Sequence, residues 1–291
     1  MKTLNLLIIA SIISFAAMAQ TPDKVLARIT YHFTHQRDTL SRNNPYTETM
    51  LLVTGKNTSV FTSLDRIERE LGLADSRPTP TAPFKPVNFV DQYYFASQNK
   101  LVTRERFMNS YYLIDEPQQQ IKWKITKDTA TISGIKSQKA TTYFKGRNWI
   151  VWYAPEMPFQ SGPWKLNGLP GLIIEAHDDK KEVIFSLAGI DNLKKENLNA
   201  EQQLKTKIYA KDMFFGEKIA LQKDAKKATR AEFDKVMELY RKDPIGFISA
   251  ESGTPRNRIA MGTSITGVSH KVINNPIELP EKLINSTQRN N

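Results

Sequence analysis

Between Phe144 and Asp178 the chain carries three of its four tryptophans, Trp149, Trp152 and Trp164, together with four prolines. That crowding limits the local fold. Strand-like runs at 148–154 and 172–177 must be joined by a loop that Pro155, Pro158, Pro163 and Pro170 keep out of regular structure. The loop ends in Gly168-Leu169-Pro170-Gly171. Pro170 presets φ for the second position of a tight turn, and Gly171 supplies the positive φ that a type II turn needs at the third. Gly168 and Gly162-Pro163 add further bends, and Leu172-Ile173-Ile174 continues as a strand. The expectation is a twice-bent loop feeding a buried strand. The alternative makes Trp164 and Leu169 an exposed recognition tip, because loops are where binding residues concentrate.

The rest of the first two thirds also reads as β. Ile29, Tyr31 and Phe33 alternate toward one side, and Gly55-Lys56-Asn57 is a hairpin turn between 49–54 and 59–63. A short helix over 64–71 is expected before Gly72, followed by four prolines within 76–86. Strands are expected at 101–107, 110–114, 120–126, 129–133, 139–145, 148–154, 172–177 and 182–190. Ile121, Trp123 and Ile125 share one face there, opposite Lys122, Lys124 and Thr126. This alternation belongs to an antiparallel sheet with one buried face. Many short strands in meander order favour a strongly curved sheet or an incomplete barrel. Past Asp191 a helix at 194–204 and a strand at 205–209 are expected. The strongest helix is 224–241, where Phe233, Val236, Met237 and Tyr240 fall at helical spacing before Pro244.

Residues 168–173 spell Gly-Leu-Pro-Gly-Leu-Ile. They are accompanied by Gly-Arg-x-Trp-x-x-Trp-Tyr at 146–153, by Pro158, by Gly162-Pro163-Trp164 and by Asp178. With these the chain resembles the GLPGLI family. The likeness runs from about Thr30 to Asp191, more weakly upstream through 121–125 and 138–141. The resemblance implies a secreted protein of Gram-negative envelopes with no established activity. Many members carry a cysteine beside the Gln-Lys-Ala element. This chain has Ser137 there, which removes any thiol role.

The N-terminus agrees with export. Lys2 precedes an apolar run from Leu4 to Phe15, too short to span a bilayer, and Ala17-Met18-Ala19 has the form of a cleavage site. Residues 1–19 are therefore expected to be a signal peptide, with the mature chain starting at Gln20 and no transmembrane segment after cleavage. The 291-residue chain has no cysteine, so disulfides, thiolate metal sites and a lipid-modified N-terminus are excluded. A periplasmic address follows. The net charge of +11 is scattered rather than arrayed, so nucleic acid is not an expected partner.

Catalytic patterns are missing. No Gly-x-Ser-x-Gly elbow and no phosphate-cradling glycine loop occurs. His32 and His35 point to opposite faces of a strand. His177-Asp178-Asp179 sits at an expected hairpin, where aspartates serve local hydrogen bonding. With one N-terminal histidine it is also the one candidate metal set. No catalytic residue, metal ligand or cofactor is assigned.

The reading is an α+β fold: a curved, half-barrel-like antiparallel sheet with a C-terminal helix packed on it. It occupies 20–248, with a largely irregular tail at 249–291. Trp149 and Trp152 lie on opposite faces of one strand. Both faces thus carry a tryptophan, so the concave face of a curved sheet has an aromatic wall. The candidate ligand-binding residues are Trp123, Trp149 and Trp152 of the sheet and Trp164 and Leu169 of the loop, with Gly168, Pro170 and Gly171 as structural turn. The expected occupant is an apolar or amphipathic ligand or an envelope protein. Two alternatives stand beside this: an accessory interaction protein of an outer-membrane import receptor, and a metal-assisted hydrolase.

Overall fold

A computed structural model describes residues 22–71, 86–117, 120–192, 200, 203, 216–262 and 273–281. The expected signal segment, almost all of the proline-rich stretch, the strand at 205–209 and all but two residues of the helix at 194–204 lie outside them.

β1 (Asp23–Lys24) pairs with β13 (Lys218–Ile219) in a small sheet of its own. The main sheet has 12 strands. A first antiparallel meander runs through β2 (Ala27–His35), β3 (Tyr46–Thr54), β4 (Thr58–Ser63), β5 (Val90–Phe95), β6 (Lys100–Phe107) and β7 (Ser110–Asp115). A second runs through β8 (Lys124–Ile132), β9 (Ile135–Phe144), β10 (Arg147–Ala154), β11 (Leu172–Asp178) and β12 (Val183–Asn192). β12 pairs antiparallel with β2 and joins the two, while β14 (Lys226–Thr229) lies parallel to β7 at one edge.

This order forces curvature. The chain starts mid-sheet, runs out to β7, then restarts at the opposite edge with β8. Ten inter-strand steps of about 4.8 Å would separate β7 from β8 by roughly 48 Å in a flat sheet. Residues 116–123 join them and reach about 32 Å when fully extended. The sheet therefore bends toward the side this crossing takes. It does not close into a barrel: β14 and β8 remain its two ends.

The period-two patterning decides what each face buries. Ile29, Tyr31, Phe33, Met50, Leu52, Phe61, Trp149, Val151 and Phe185 gather on the inner face as the main core. Leu51, Val53, Val60, Tyr93 and Val102 face the other way and pack with Leu64 and Ile67 of α1 (Leu64–Glu70). The Ser63 side chain caps α1 by accepting from the Arg66 N–H.

Among the described residues three helices follow β14: α2 (Arg230–Lys242), α3 (Pro244–Ser252) and α4 (Arg256–Gly262). α2 opens on a capping box in which Thr229 and Glu232 satisfy each other's backbone N–H. Phe233 is its buried residue and packs with Phe107 and Ile114 of the sheet, as the expected helical spacing requires.

Three details differ from the sequence reading. β5 is an unexpected strand, because it carries Asp91 at a buried position on the face that α1 covers. Asp91 is tolerated there between Arg66 and Arg104, each 2.5 Å away. The strands expected at 120–126 and 129–133 are one edge strand, β8, and Ile125 is 46% exposed on it. α2 begins at Arg230 rather than near 224, since Lys226–Thr229 pairs with β7.

Candidate functional site

The loop between β10 and β11 folds back onto the inner face. Trp164 adopts a left-handed φ of 55°, uncommon for a bulky residue, and packs against Trp149 at 5.4 Å and Phe144 at 5.8 Å between ring centres. The Trp123 indole N–H donates to the Asn167 carbonyl at 2.8 Å and ties the crossing segment to the loop. The turn itself differs from a type II turn. The Gly171 N–H bonds the Leu169 carbonyl at 2.8 Å, so Pro170 alone is bridged. Gly168, at φ 86°, supplies the left-handed residue. Gly171, at φ 158°, is demanded mainly by proximity: a Cβ there would strike the Ala154 carbonyl and come within 2.9 Å of Pro155 Cα.

A second cover lies beside the loop. Residues 273–281 run across the ends of β2, β10 and β12 as a strap without regular structure. Arg147, 3% exposed, holds it. Its guanidinium donates to Asp178 Oδ2 (2.6 Å), Asn275 Oδ1 (2.7 Å), the Pro276 carbonyl (2.7 Å) and the Ile277 carbonyl (2.9 Å). The Asn275 amide donates to the Gln36 carbonyl (2.7 Å) and Glu182 Oε2 (3.1 Å). His35 Nε2 meets the Asn275 carbonyl at 2.8 Å, so that nitrogen carries the proton, because a carbonyl only accepts. Burial pushes the His35 imidazole down to about 4, against the upward pull of that hydrogen bond. Asp178 Oδ1 accepts the backbone N–H groups of Glu182 and Val183, the local turn role expected of it. The two positions that carried part of the family resemblance, Arg147 and Asp178, are thus partners in one buried ion pair.

Between these covers and α2 the inner face leaves a cavity of about 550 Å³. Its floor is Met50, Phe33, Phe61 and Phe185; Phe33 and Phe185 stack at 4.7 Å and Phe61 meets Phe185 edge-on at 5.8 Å. Trp164 and Lys165 stand on one wall, Ile273, Pro276 and Ile277 of the strap on another. Val90, Gln92 and Thr103 face them from β5 and β6, and Arg230 enters from the start of α2.

The lining carboxylates are all paired. Arg230 contacts Glu105 at 2.7 Å and Glu116, while Lys165 contacts Glu278 at 2.6 Å and Lys145 reaches it at 3.5 Å. Burial raises the Glu116 carboxyl, but Arg230 and Lys165 more than offset this and hold it below the usual carboxylate range. Desolvation lowers Arg230, and its hydrogen bonds to Glu116 and Glu105 outweigh this and raise it.

The sequence-named residues divide sharply. Trp149 and Leu169 are fully buried in the core, with no surface toward the cavity. Trp164 lines it. Trp152, half-buried, points to the opposite face of β10 from Trp149, and Trp123 sits half-buried at the loop base. Gly168, Pro170 and Gly171 shape the turn and do not line this cavity. His32 is exposed and His35 buried, on opposite faces of β2 as expected. Among the described residues no three His, Asp or Glu side chains converge as a metal site. The lining residues Phe33, Phe61, Phe185, Arg37 and Arg230 were not singled out as a site. Alternation on β2 and β12 placed Phe33 and Phe185 inward, but nothing local tells an inward residue under a cover from one beside a gap.

Several comparisons bear on this architecture. The model of a family described as a protein of unknown function (Porph_ging) matches residues 108–175, from β7 into β11. No curated protein matches. Among solved structures the chain is similar to PNGF-II in its P21 and C2 space groups, each at 14% identity, with TM-scores of 0.49 and 0.48. The match covers 72% of this chain and 32% of PNGF-II, so the chain spans about a third of that protein's length. An uncharacterized conserved protein from Thermus thermophilus is similar at 9% identity and a TM-score of 0.34, over 71% of this chain and 91% of that one. Among the described residues no helix is long and apolar enough to cross a membrane.

Proposed function

We propose that this chain is a non-catalytic binding protein of the GLPGLI type that works in the Gram-negative periplasm and holds an apolar or amphipathic ligand. The observation that carries the reading is the cavity of about 550 Å³ floored by Met50, Phe33, Phe61 and Phe185. Its size falls in the range of small-ligand sites, and its walls combine apolar side chains with a few placed charges. The loop and the strap cover only part of the inner face, and an apolar floor left open in a folded protein marks a place for something to sit. The family assignment is supported by residues 168–173 and their flanking pieces, which the match at 108–175 overlaps. The address rests on the signal-like segment at 1–19 and on the missing cysteine.

The neutral probe N-phenyl-1-naphthylamine tests the reading. It is expected to give a saturable, single-site rise in fluorescence with the wild-type chain. Val90→Trp, at a half-buried lining position, should fill the space and abolish that rise without lowering the Tm. No saturable rise in the wild type removes the cavity as a binding site.

A further inference from the structure

Resting on that cavity reading, we infer that the ligand is a single-chain amphiphile with an anionic head group, and that Arg37 reads the head. A line of aromatic rings runs from the floor to the rim. Phe185 stacks on Phe33 at 4.7 Å, and Phe33 meets Tyr46 edge-on at 6.1 Å. The Arg37 guanidinium lies 3.3 Å over the centre of the Tyr46 ring. The cavity therefore passes from an apolar floor to a cation in one continuous direction, which is the polarity of an alkyl chain ending in a charge.

The charges in the lining decide the sign of that head. Arg37, Lys145, Lys165 and Arg230 face Glu105, Glu116 and Glu278. Each of the three carboxylates is held by Lys145, Lys165 or Arg230. No carboxylate of the lining is left to attract a cationic head. Arg37 is the lining cation without an ion pair among the described residues. Stacking on Tyr46 occupies one face of its guanidinium plane, and a side-chain hydrogen bond with Tyr46 fixes part of its N–H edge, while the remaining donors of the fork are suited to a carboxylate or phosphate. A partly buried guanidinium is a stronger anion site than one in open water, because local screening is weaker.

Full-length chain is titrated with dodecanoate, dodecyl phosphate, dodecanol and dodecyltrimethylammonium, read through Trp164, the tryptophan on the cavity wall. Both anions are expected to bind about tenfold or more tighter than dodecanol, the least that one charge-assisted pair contributes. Dodecyltrimethylammonium should bind weakest. The tighter of the two anions identifies a carboxylate or a phosphate as the natural head. Arg37→Gln should remove the advantage of the anions and leave dodecanol unchanged; Arg37→Lys should keep part of it. Equal affinity for dodecanol and the anions overturns the inference, as does an anion preference that survives in a folded Arg37→Gln. If N-phenyl-1-naphthylamine binds and none of the amphiphiles does, the inference fails while the cavity reading stands. If the probe also fails to bind, the cavity reading itself has failed.

Discussion

The inner face of the sheet is covered twice, by different means. At the β10 side the cover is irregular backbone: the loop from Pro155 to Gly171 and the strap at 273–281. At the β7 side it is a helix. The irregular cover is dense, with Phe159, Leu166 and Leu169 all at most 5% exposed. It is held by a left-handed Trp164, by Gly168 and Gly171, and by a buried guanidinium. The helical cover buries one side chain, Phe233, and opens on a solvent-facing cap. A helix satisfies its own backbone and needs only one apolar stripe. An irregular cover has no internal ladder, so each carbonyl and N–H needs a specific partner. Specificity of contact replaces regularity of backbone.

The sharpest way to break this contrast is Gly171→Val. Backbone strain of about 1–3 kcal/mol adds to a clash with Ala154 that is itself worth roughly 1–3 kcal/mol. We expect a loss of about 4 kcal/mol in denaturant melts, the sum of those two ranges at their middle. A wild-type Tm would mean that the loop tolerates rearrangement and is not contact-specified. Trp164→Ala comes next, at about 3 kcal/mol, because the indole is 8% exposed and packs on Trp149 and Phe144. An unchanged melt with altered ligand capture would instead make Trp164 a recognition residue.

The strap gives a pH signature that comes from a histidine, whereas the helical cover's comes from carboxylates such as Glu116 and Glu232. His35 titrates near 4 in the folded chain against an ordinary 6.5. The unfolded chain takes up the proton first, so this contribution to stability is constant above pH 6.5 and falls as pH drops toward 4. The loss reaches at most about 3 kcal/mol. His35→Gln should flatten that part of the Tm–pH curve, and an unaltered slope would place its origin elsewhere. The smallest effect belongs to the helix: Thr229→Ala removes an exposed cap worth about 1 kcal/mol. A loss matching that of Gly171→Val would erase the distinction between the covers.

The same contrast explains what could be read in advance. Alternation exposes a strand directly, so the faces of β2 and β10 and the split of Trp149 from Trp152 were legible. The helical spacing of Phe233, Val236, Met237 and Tyr240 was equally plain. Asp91 hid β5, because only its long-range partners Arg66 and Arg104 let it be buried under α1. The turn type was misplaced between Gly168 and Gly171, since both glycines satisfy a sequence rule while a neighbouring strand selects between them. That one helix leaves apolar sheet uncovered could be argued from the lengths of the elements alone. Which residues line the gap could not, because Trp149 and Leu169 look the same in sequence whether a loop covers them or not.

Arg147 also sets a schedule. The residue that completes its contacts, Asn275, lies 128 positions later. At about 5–20 residues per second, a ribosome needs roughly 6–25 s to travel between them. For most of that interval the second meander has been made, yet the Arg147 guanidinium and the Glu182 carboxylate lack their last partner, and one wall of the cavity is missing. The strap wall of the cavity is thus the last of its walls to be made, and a chain interrupted before Asn275 lacks it.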